Sequence, residues 1–246
     1  MVLPLFTVPP MVTLPAAGSL VVLAGPEAKH AISVRRMRVG EGIQVSDGRG
    51  NRVVGNIVSI DGNQLSLEVS ESNFEAAAEP TITLVQALAK GDRDELAIQA
   101  ATELGVEGVT PWQADRSVSR WDGPKVAKGV ERWQTIVAEA AKQALRARTP
   151  QVTQPASTKE LSGLIRKYDL ALVLDPTAQS TISGVGLPST GSIAIVVGPE
   201  GGISESELAL LENSGATRVR LGTDILRTST AGMAAISVLQ SRLNRW

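Results

Sequence analysis

The segment VVGPEGGISESE, Val196–Glu207, places three glycines and a proline between an apolar run and the start of a predicted helix. Glycine can adopt a positive φ and has no Cβ to obstruct a ligand, whereas Pro199 fixes its own φ. Ser204 and Glu207 match the S-x-x-E capping box that opens a helix. Because ligands of open α/β sheets bind beyond the carboxyl ends of strands, this segment is a candidate ligand-binding loop.

The glycine segment does not match the common phosphate-binding motifs. A Walker A loop ends in Gly-Lys-Ser/Thr, and no lysine follows Gly202. The sequence GPEGGI does not fit the G-x-G-x-x-G pattern of dinucleotide sites, and it comes late in the chain. A phosphate cradle is therefore the weaker interpretation, and this loop alone leaves open a tight turn that binds nothing.

A second segment, RVRLGTDILRTSTAGMAA, repeats the order of strand, glycine, compact loop and helix. Small residues in the first turns of the predicted helix would let a ligand or another backbone approach closely. Arg227 lies between the apolar pair Ile225-Leu226 and a run of hydroxyl residues, and an arginine in such a setting is rarely buried without a partner. Two such loops at neighbouring strand ends would form a pocket edged by main-chain groups, which suits an adenine and an amino-acid moiety better than a triphosphate.

The elements that would position these loops alternate between strands and helices from Thr81 onward. Predicted helices cover Asp92–Leu104, Lys125–Arg146 and Lys159–Lys167. Continuous apolar strands between such helices predict a parallel sheet covered on both faces, and hence an α/β fold. The predicted strands are TITLVQAL, EGVTPW, DLALVLD, SIAIVVG and TRVRLG.

The first part of the chain has a different pattern, with short alternating strands and tight turns up to about residue 72. It predicts a small antiparallel β-barrel with one short helix near Glu27–Val34. The sequence therefore predicts a barrel domain over residues 1–72, a linker over 73–80 and an α/β domain over 81–246.

Composition narrows the chemistry. Of 246 residues, 43% are hydrophobic and 20% charged, which is typical of a globular protein. The chain has no cysteine and one histidine, His30, so disulfides and thiolate metal sites are excluded, and zinc sites or serine-protease triads built on histidine are disfavoured. We expect no metal.

Charge is close to balanced, with a net charge of −1, which argues against a protein that coats nucleic acid through bulk charge. Basic residues nevertheless outnumber acidic ones between Ala114 and Arg148, and Arg35, Arg36 and Arg38 form a second basic cluster. These clusters are either solvated faces or a discontinuous surface that binds phosphates.

The apolar N-terminus lacks the positive start of a signal peptide, because no Lys or Arg precedes Lys29. No run approaches 18 uninterrupted apolar residues, so we expect no membrane span. A cytoplasmic location is the default expectation.

Five segments, in this order, resemble the SPOUT methyltransferases, and more closely the bacterial RsmE-type family that methylates N3 of a uridine in 16S ribosomal RNA. The last two segments together are highly specific. The segments are LAKGDRDELAIQAATELGV, DRSVSRW, RWQTIVAEAAKQALR, GPEGGISESE and LGTDILRTSTA.

The resemblance implies a C-terminal SPOUT α/β domain with a trefoil knot, a small N-terminal PUA-like β-barrel that binds RNA, and a homodimer. The family usually opens with an Arg-Phe pair, where this chain has Leu5-Phe6. The implied cofactor is S-adenosylmethionine, bound bent inside the knot. Its implied contacts are Leu174, Gly198, Glu200, Gly201, Gly202, Leu221, Gly222, Ile225, Leu226, Arg227, Thr228, Thr230 and Ala231.

Methyl transfer to N3 is an in-line displacement in which positioning supplies much of the catalysis. The uracil must be unpaired or flipped out, and its N3 proton must leave or be shared. We expect Arg227 to stabilise the negative charge that develops on the uracil carbonyl oxygens, and Glu200 to accept the proton. Either role for Arg227, catalytic or only orienting its loop, stays open.

The expected partner is 16S rRNA in the small ribosomal subunit. Expected RNA contacts are Arg116 and Arg120 in DRSVSRW, and Arg35, Arg36 and Arg38 in the barrel; His30 is either packed in the barrel or faces RNA. Two alternatives remain: a related SPOUT enzyme acting on tRNA or a ribose 2′-hydroxyl, and a non-catalytic RNA-binding protein that has lost its cofactor.

Overall fold

The computed structural model describes residues 2–246. They fold as two compact units. The N-terminal unit extends to Ala77 and includes the later segment Ala141–Thr149, and the C-terminal unit comprises Ala78–Ala140 and Pro150–Trp246. These units differ from the predicted domains in one respect. Residues 141–149, which the sequence predicts to be part of the α/β domain, belong to the N-terminal unit.

The N-terminal unit contains a five-stranded sheet in the order β1-β3-β4-β5-β2. All pairs are antiparallel as expected except β1 with β3, which is parallel. A parallel pair requires a long crossover, and the second strand and a helix lie between these two strands in the chain. The strands are β1 Leu5–Thr7, β2 Leu20–Ala24, β3 Gly42–Ser46, β4 Asn51–Asp61 and β5 Gln64–Phe74.

The predicted short helix near Glu27–Val34 is present as α1 (Gly25–Lys29), which continues as a π-helical turn over His30–Val34. Strand β5 runs two residues into the predicted linker. The core of the unit is apolar and includes Phe6, Leu23, Val45, Ile57 and Leu67.

The segment Ala141–Thr149 is bound to the strands of the N-terminal unit through main-chain groups. Ser46 Oγ donates to the carbonyl of Ala147 at 2.9 Å, and Arg52 Nη2 donates to the carbonyl of Leu145 at 2.7 Å. Because main-chain acceptors exist at every residue, the sequence carries no signal for this attachment.

The C-terminal unit is built on a sheet in which every described strand pair is parallel, as predicted. The strand order is β12-β10-β11-β6-β7-β8, and β9 pairs with β7. The strands are β6 Thr81–Ala87, β7 Gly108–Gln113, β8 Gln151–Val152, β9 Ala156–Ser157, β10 Leu170–Leu174, β11 Ser192–Val197 and β12 Thr217–Val219.

Helices connect these strands, and the last residues of the second of them belong to the N-terminal unit. The helices are α2 Arg93–Glu103, α3 Pro124–Gln143, α4 Thr158–Ile165, α5 Glu205–Glu212 and α6 Thr228–Arg242. No helix within residues 2–246 is both long enough and apolar enough to span a bilayer.

Alternate residues of the central strands enter two separate apolar clusters, which confirms a sheet covered on both faces. On β11, Ile193 and Ile195 join one cluster, whereas Ala194 and Val196 join the other. Helices α2, α3 and α6 contribute to the first cluster, and α4 and α5 to the second. The trefoil knot stays a prediction.

Strands β10, β11 and β12 are neighbours and parallel, so their carboxyl ends lie at one edge of the sheet. The chain leaves these strands at Leu174, Val197 and Val219. The two glycine-containing segments predicted from the sequence follow β11 and β12, and this arrangement positions the candidate site.

Candidate functional site

Three loops border a cavity of about 590 Å³ in the C-terminal unit. We call them the strand-end turn (Leu174–Thr177), the glycine loop (Gly198–Ser204) and the second loop (Leu221–Arg227). The hydroxyl of Thr228 donates to the carbonyl of Gly198 at 2.8 Å. This bond joins the start of α6 to the glycine loop, so the two segments meet in space.

The glycine loop needs its glycines for different reasons. Gly202 has a φ of +73°, and its N–H closes a tight turn on the carbonyl of Pro199 at 2.9 Å. A Cβ on Gly198 would lie 2.6 Å from Cγ1 of Ile203, closer than real side chains approach. The loop can therefore fold against Ile203 only because Gly198 has no side chain.

Most of the predicted cofactor contacts lie around this cavity. Gly201 and Thr230 do not line the cavity. Gly201 lies against the Cβ of Arg116, and Thr230 lies in the first turn of α6. The predicted residues that line the cavity are Leu174, Gly198, Glu200, Gly202, Leu221, Gly222, Ile225, Leu226, Arg227, Thr228 and Ala231.

Sequence analysis missed several polar residues that line the same cavity: Arg93, Asp175, Thr177, Glu205 and Asp224. One signal was available for Asp175, which follows the buried strand β10 directly. No comparable signal marked Arg93, which lies at the start of α2, more than a hundred residues before the glycine loop.

Asp175 fixes the strand-end turn. Its carboxylate accepts hydrogen bonds from the N–H of Thr177 at 3.0 Å and from Nε of Arg218 at 2.7 Å. Burial raises the pKa of Asp175, but the hydrogen bonds from Thr177 and Arg218 outweigh it, so the pKa lies below its ordinary value. The carboxylate is therefore ionised at neutral pH.

Glu200 is bound at the other side of the cavity by the first residue of α2 and by the segment that precedes it. Its Oε1 accepts from Nη1 of Arg93 at 2.8 Å and from the N–H of Lys90 at 3.0 Å. Burial raises the pKa of Glu200, but these hydrogen bonds outweigh it and lower the pKa overall. The carboxylate is therefore a weaker base than a free glutamate, so it takes up a proton less readily in its predicted role as proton acceptor.

Arg227 is exposed, so the rule that a buried arginine needs a partner does not apply to it. Its carbonyl accepts from the N–H groups of Thr230 and Ala231 at the start of α6, and the residue lines the cavity. Among residues 2–246, nothing hydrogen-bonds to or pairs with its guanidinium. Its donors are therefore available to a ligand.

Comparison with known proteins identifies the family. Residues 77–240 match the RNA methyltransferase domain, and residues 23–70 match the RNA methyltransferase PUA domain. The chain is 41% identical over 238 residues to the ribosomal RNA small subunit methyltransferase E of Mycobacterium bovis, covering 95% of this chain and 91% of that protein. The chain belongs to the RNA methyltransferase family.

Two solved structures resemble the whole RNA methyltransferase chain. The ribosomal RNA small subunit methyltransferase E of Neisseria gonorrhoeae, bound to S-adenosylmethionine, is 29% identical with a TM-score of 0.85. A methyltransferase of Legionella pneumophila, also in complex with that cofactor, is 29% identical with a TM-score of 0.84. Each match covers 98% of both chains. The predicted fold class, a SPOUT α/β domain with a small PUA-like domain, is confirmed.

The predicted RNA contacts of this RNA methyltransferase occur in both units. Arg35, Arg36 and Arg38 are exposed in the PUA-like unit, where His30 is half-buried and meets the ring of Phe6 edge-on at 5.9 Å. In the C-terminal unit, Arg116 and Arg120 are exposed. Their contacts with RNA stay predictions.

Within residues 2–246, no three His, Asp or Glu side chains lie close enough together to hold a metal ion. Trp133 is buried in the core, and the half-buried Trp121 packs edge-on against it at 5.2 Å. These two aromatics thus pack in the core of the C-terminal unit.

Proposed function

We propose that this protein transfers a methyl group from S-adenosylmethionine to N3 of a uridine in 16S rRNA of the small ribosomal subunit. The observation that supports this most is the cavity at the strand ends where the glycine loop and the second loop meet, joined by Thr228 and Gly198. In the RNA methyltransferase family, relatives with the same fold have been solved with this cofactor.

The residues present fit this cofactor. A volume of about 590 Å³ falls within the range of cavities that hold small molecules, and Leu174, Val197 and Leu221 provide apolar walls for an adenine. A Cβ added to Gly222 would meet nothing within 4 Å, so the main chain there is open to a ligand. Asp175, Glu205 and Asp224 add carboxylates suited to ribose hydroxyls and an ammonium group.

The bound cofactor supplies an electrophilic methyl group on a sulfonium. The chain's own residues must then orient the uracil and manage its N3 proton. In this proposal, Arg227 donates to the uracil oxygens as negative charge develops on them. In support, the residue lines the cavity and its guanidinium has no partner among the described residues.

We assign the role of proton acceptor to Glu200, which borders the same cavity. Its lowered pKa keeps it ionised and able to accept a hydrogen bond from the N3–H, but makes complete proton transfer less favourable. In this proposal, Glu200 shares the proton and Arg227 stabilises the developing anion, so the two side chains have complementary tasks.

The proposed partners are the rRNA and a second copy of the chain. Arg116 and Arg120 would contact phosphates beside the cavity, and Arg35, Arg36 and Arg38 would extend the contact on the PUA-like unit. The homodimer is proposed from the family resemblance, as is action in the cytoplasm.

The decisive experiment offers labelled methyl donor and the purified protein to small ribosomal subunits from a strain lacking this enzyme. Mass spectrometry of the digested RNA then locates the methyl group. We expect one modified uridine, methylated at N3. A methyl group on a ribose would support a sister enzyme, as would methylation of tRNA, offered in place of the subunits, with none on the subunits. No heat of binding in a calorimetric titration with S-adenosylmethionine would support a non-catalytic RNA-binding protein.

A further inference from the structure

Glu207 makes more contacts than its predicted place in a capping box requires. It lies in the first turn of α5 and is only 3% exposed. Its Oε2 accepts from the N–H of Ser204 at 3.0 Å, which closes the predicted capping box at the end of the glycine loop. Its Oε1 accepts from the N–H of Asp115 at 2.9 Å and from the hydroxyl of Thr158 at 2.7 Å.

One buried carboxylate therefore holds both the end of the glycine loop and the start of the segment Asp115–Trp121, which we call the basic segment. Burial raises the pKa of Glu207, but its hydrogen bonds from Asp115, Ser204 and Thr158 outweigh it and lower the pKa. The side chain thus stays ionised, and charge-assisted hydrogen bonds are the stronger kind.

The basic segment and the glycine loop touch at a second place. Arg116 Nη1 donates to the carbonyl of Gly201 at 3.1 Å, and a Cβ on Gly201 would lie only 3.1 Å from Cβ of Arg116. Ser204 Oγ also lies 3.3 Å from a carboxylate oxygen of Asp115. A displacement of one segment must therefore disturb the other.

The chain contains a natural comparison for this arrangement. Helix α4 begins with the same capping box, formed by Ser157 and Glu160. The carboxylate of Glu160 is exposed, however, and among residues 2–246 it accepts hydrogen bonds from Ser157 alone. Glu207 and Glu160 thus perform the same cap, and only Glu207 also holds another segment.

We propose that Glu207 is a positioning residue that couples binding of the methyl donor to binding of RNA. This inference rests on the proposed function, in which the glycine loop contacts the donor and the basic segment contacts phosphates. A donor that orders the glycine loop also orders Arg116 through Glu207, so RNA binds to a segment that has already lost conformational freedom. Because such coupling is reciprocal, RNA must tighten donor binding by the same factor.

The test measures the affinity for unmethylated small ribosomal subunits with and without saturating S-adenosylhomocysteine, which fills the donor site without transferring a methyl group. For the unchanged protein we expect the affinity to rise by about 5-fold or more, the lower end of typical coupling factors. In Glu207→Gln, the NH2 of the new amide faces one of the groups that donated to the carboxylate, so the glycine loop and the basic segment separate. The factor by which S-adenosylhomocysteine raises the affinity for subunits should then fall to below about 2-fold. Glu160→Gln, the matched control, should keep the full factor.

The coupling factor is a ratio that a simple loss of stability does not change, provided that the variant is folded. If Glu207→Gln fails to fold, Glu207→Asp replaces it, since aspartate keeps the negative charge but is one methylene shorter and cannot reach both Ser204 and Asp115. The inference is overturned if the unchanged protein shows no coupling, or if Glu207→Gln or Glu207→Asp retains it. Absence of any methyl transfer by the unchanged protein would instead refute the proposed function.

Discussion

The two loops that meet at the cavity differ in how firmly they are held. In the glycine loop, Glu200 accepts hydrogen bonds from Lys90 and Arg93 at the start of α2, and Gly201 accepts one from Arg116. In the second loop, residues 222–226 form no hydrogen bond with any residue in the described range 2–246. Ile225 is 80% exposed there.

This difference separates two tasks. The glycine loop and the strand-end turn form a wall that hydrogen bonds connect to neighbouring segments, so ordering of the wall by a ligand also acts on those segments. The second loop has few contacts to lose on moving, which is typical of segments that reorganise on ligand binding. We therefore expect substitutions in the glycine loop and the strand-end turn to alter stability. Substitutions in the second loop should alter ligand binding or the rate of methyl transfer, with little effect on stability.

The largest expected effect comes from the second loop. Arg227→Ala should lower kcat by about 10²–10³-fold, the usual cost of removing a donor that stabilises a developing anion. Stability should stay within about 0.5 kcal/mol, because this exposed side chain has no partner among the described residues. Single-turnover kinetics and urea unfolding check both results.

Arg227→Lys is the control, since it keeps the charge and should restore part of the rate. An unchanged rate in Arg227→Ala would remove the residue from the chemistry. A large loss of donor affinity with unchanged kcat would mean that it only orients its loop.

Substitutions in the glycine loop and the strand-end turn should instead change the free energy of unfolding. Asp175→Asn should lower the free energy of unfolding at pH 7 by about 1–3 kcal/mol, because an amide cannot satisfy the donors of both Thr177 and Arg218. The folded pKa of Asp175 lies below its ordinary value of 3.8. Its contribution is therefore fully present above that value and is lost as the pH falls through the lower, folded pKa.

The difference in unfolding free energy between Asp175→Asn and the unchanged protein should accordingly shrink at acid pH. Urea unfolding at neutral pH and near pH 3 measures it. A difference that is independent of pH would show that Asp175 stabilises the turn by packing and not by its charge.

How much the sequence revealed depended on whether a contact leaves a local pattern. The parallel sheet, the helices and the capping box of Ser204 and Glu207 follow from periodicity and short motifs, and the structure confirms them. The meeting of the two glycine segments followed from their places after strands, because parallel strands end at one edge.

The contacts that sequence analysis missed join distant residues through ordinary groups. Arg93 reaches Glu200 across 107 positions, and Asp115 reaches Glu207 across 92. The attachment of Ala141–Thr149 to the N-terminal unit uses main-chain carbonyls that any sequence would supply. The exposure of Arg227 also left no pattern in the sequence, because apolar neighbours do not bury a residue when they are exposed themselves.

Replacing one glycine in each loop tests the difference between the glycine loop and the second loop. Gly202→Ala should destabilise the protein by about 1 kcal/mol, because its φ of +73° is costly for a residue with a Cβ. Gly222→Ala should leave stability nearly unchanged, since its φ is ordinary and its Cβ would meet nothing within 4 Å. The new methyl group at Gly222 borders the cavity, however, and should weaken donor binding several-fold.

Urea unfolding and calorimetric titration with S-adenosylmethionine measure both variants. Equal destabilisation by the two substitutions would contradict the distinction between a glycine loop held by hydrogen bonds and a second loop without them. Unchanged donor affinity in Gly222→Ala would place the cofactor away from the second loop.

A small effect on stability is also expected from the ion pair between Arg93 and Glu200. Arg93→Gln should cost at most about 1 kcal/mol, since the side chain of Arg93 is 43% exposed and water and salt screen the pair. The pKa of Glu200 should rise towards its ordinary value of 4.5, because the main hydrogen bond that lowers it is lost.

The matched control is Arg132→Gln, which breaks the exposed pair of Arg132 with Glu95 away from the cavity. Both variants should unfold at nearly the same urea concentration as the unchanged protein, but only Arg93→Gln should change the rate of methyl transfer. If Glu200 shares the N3 proton, its higher pKa makes it a stronger base, so the rate per bound complex at neutral pH should not fall. A fall in that rate, with donor and RNA affinities unchanged, would mean that Arg93 itself acts on the uracil and that Glu200 serves only to hold it.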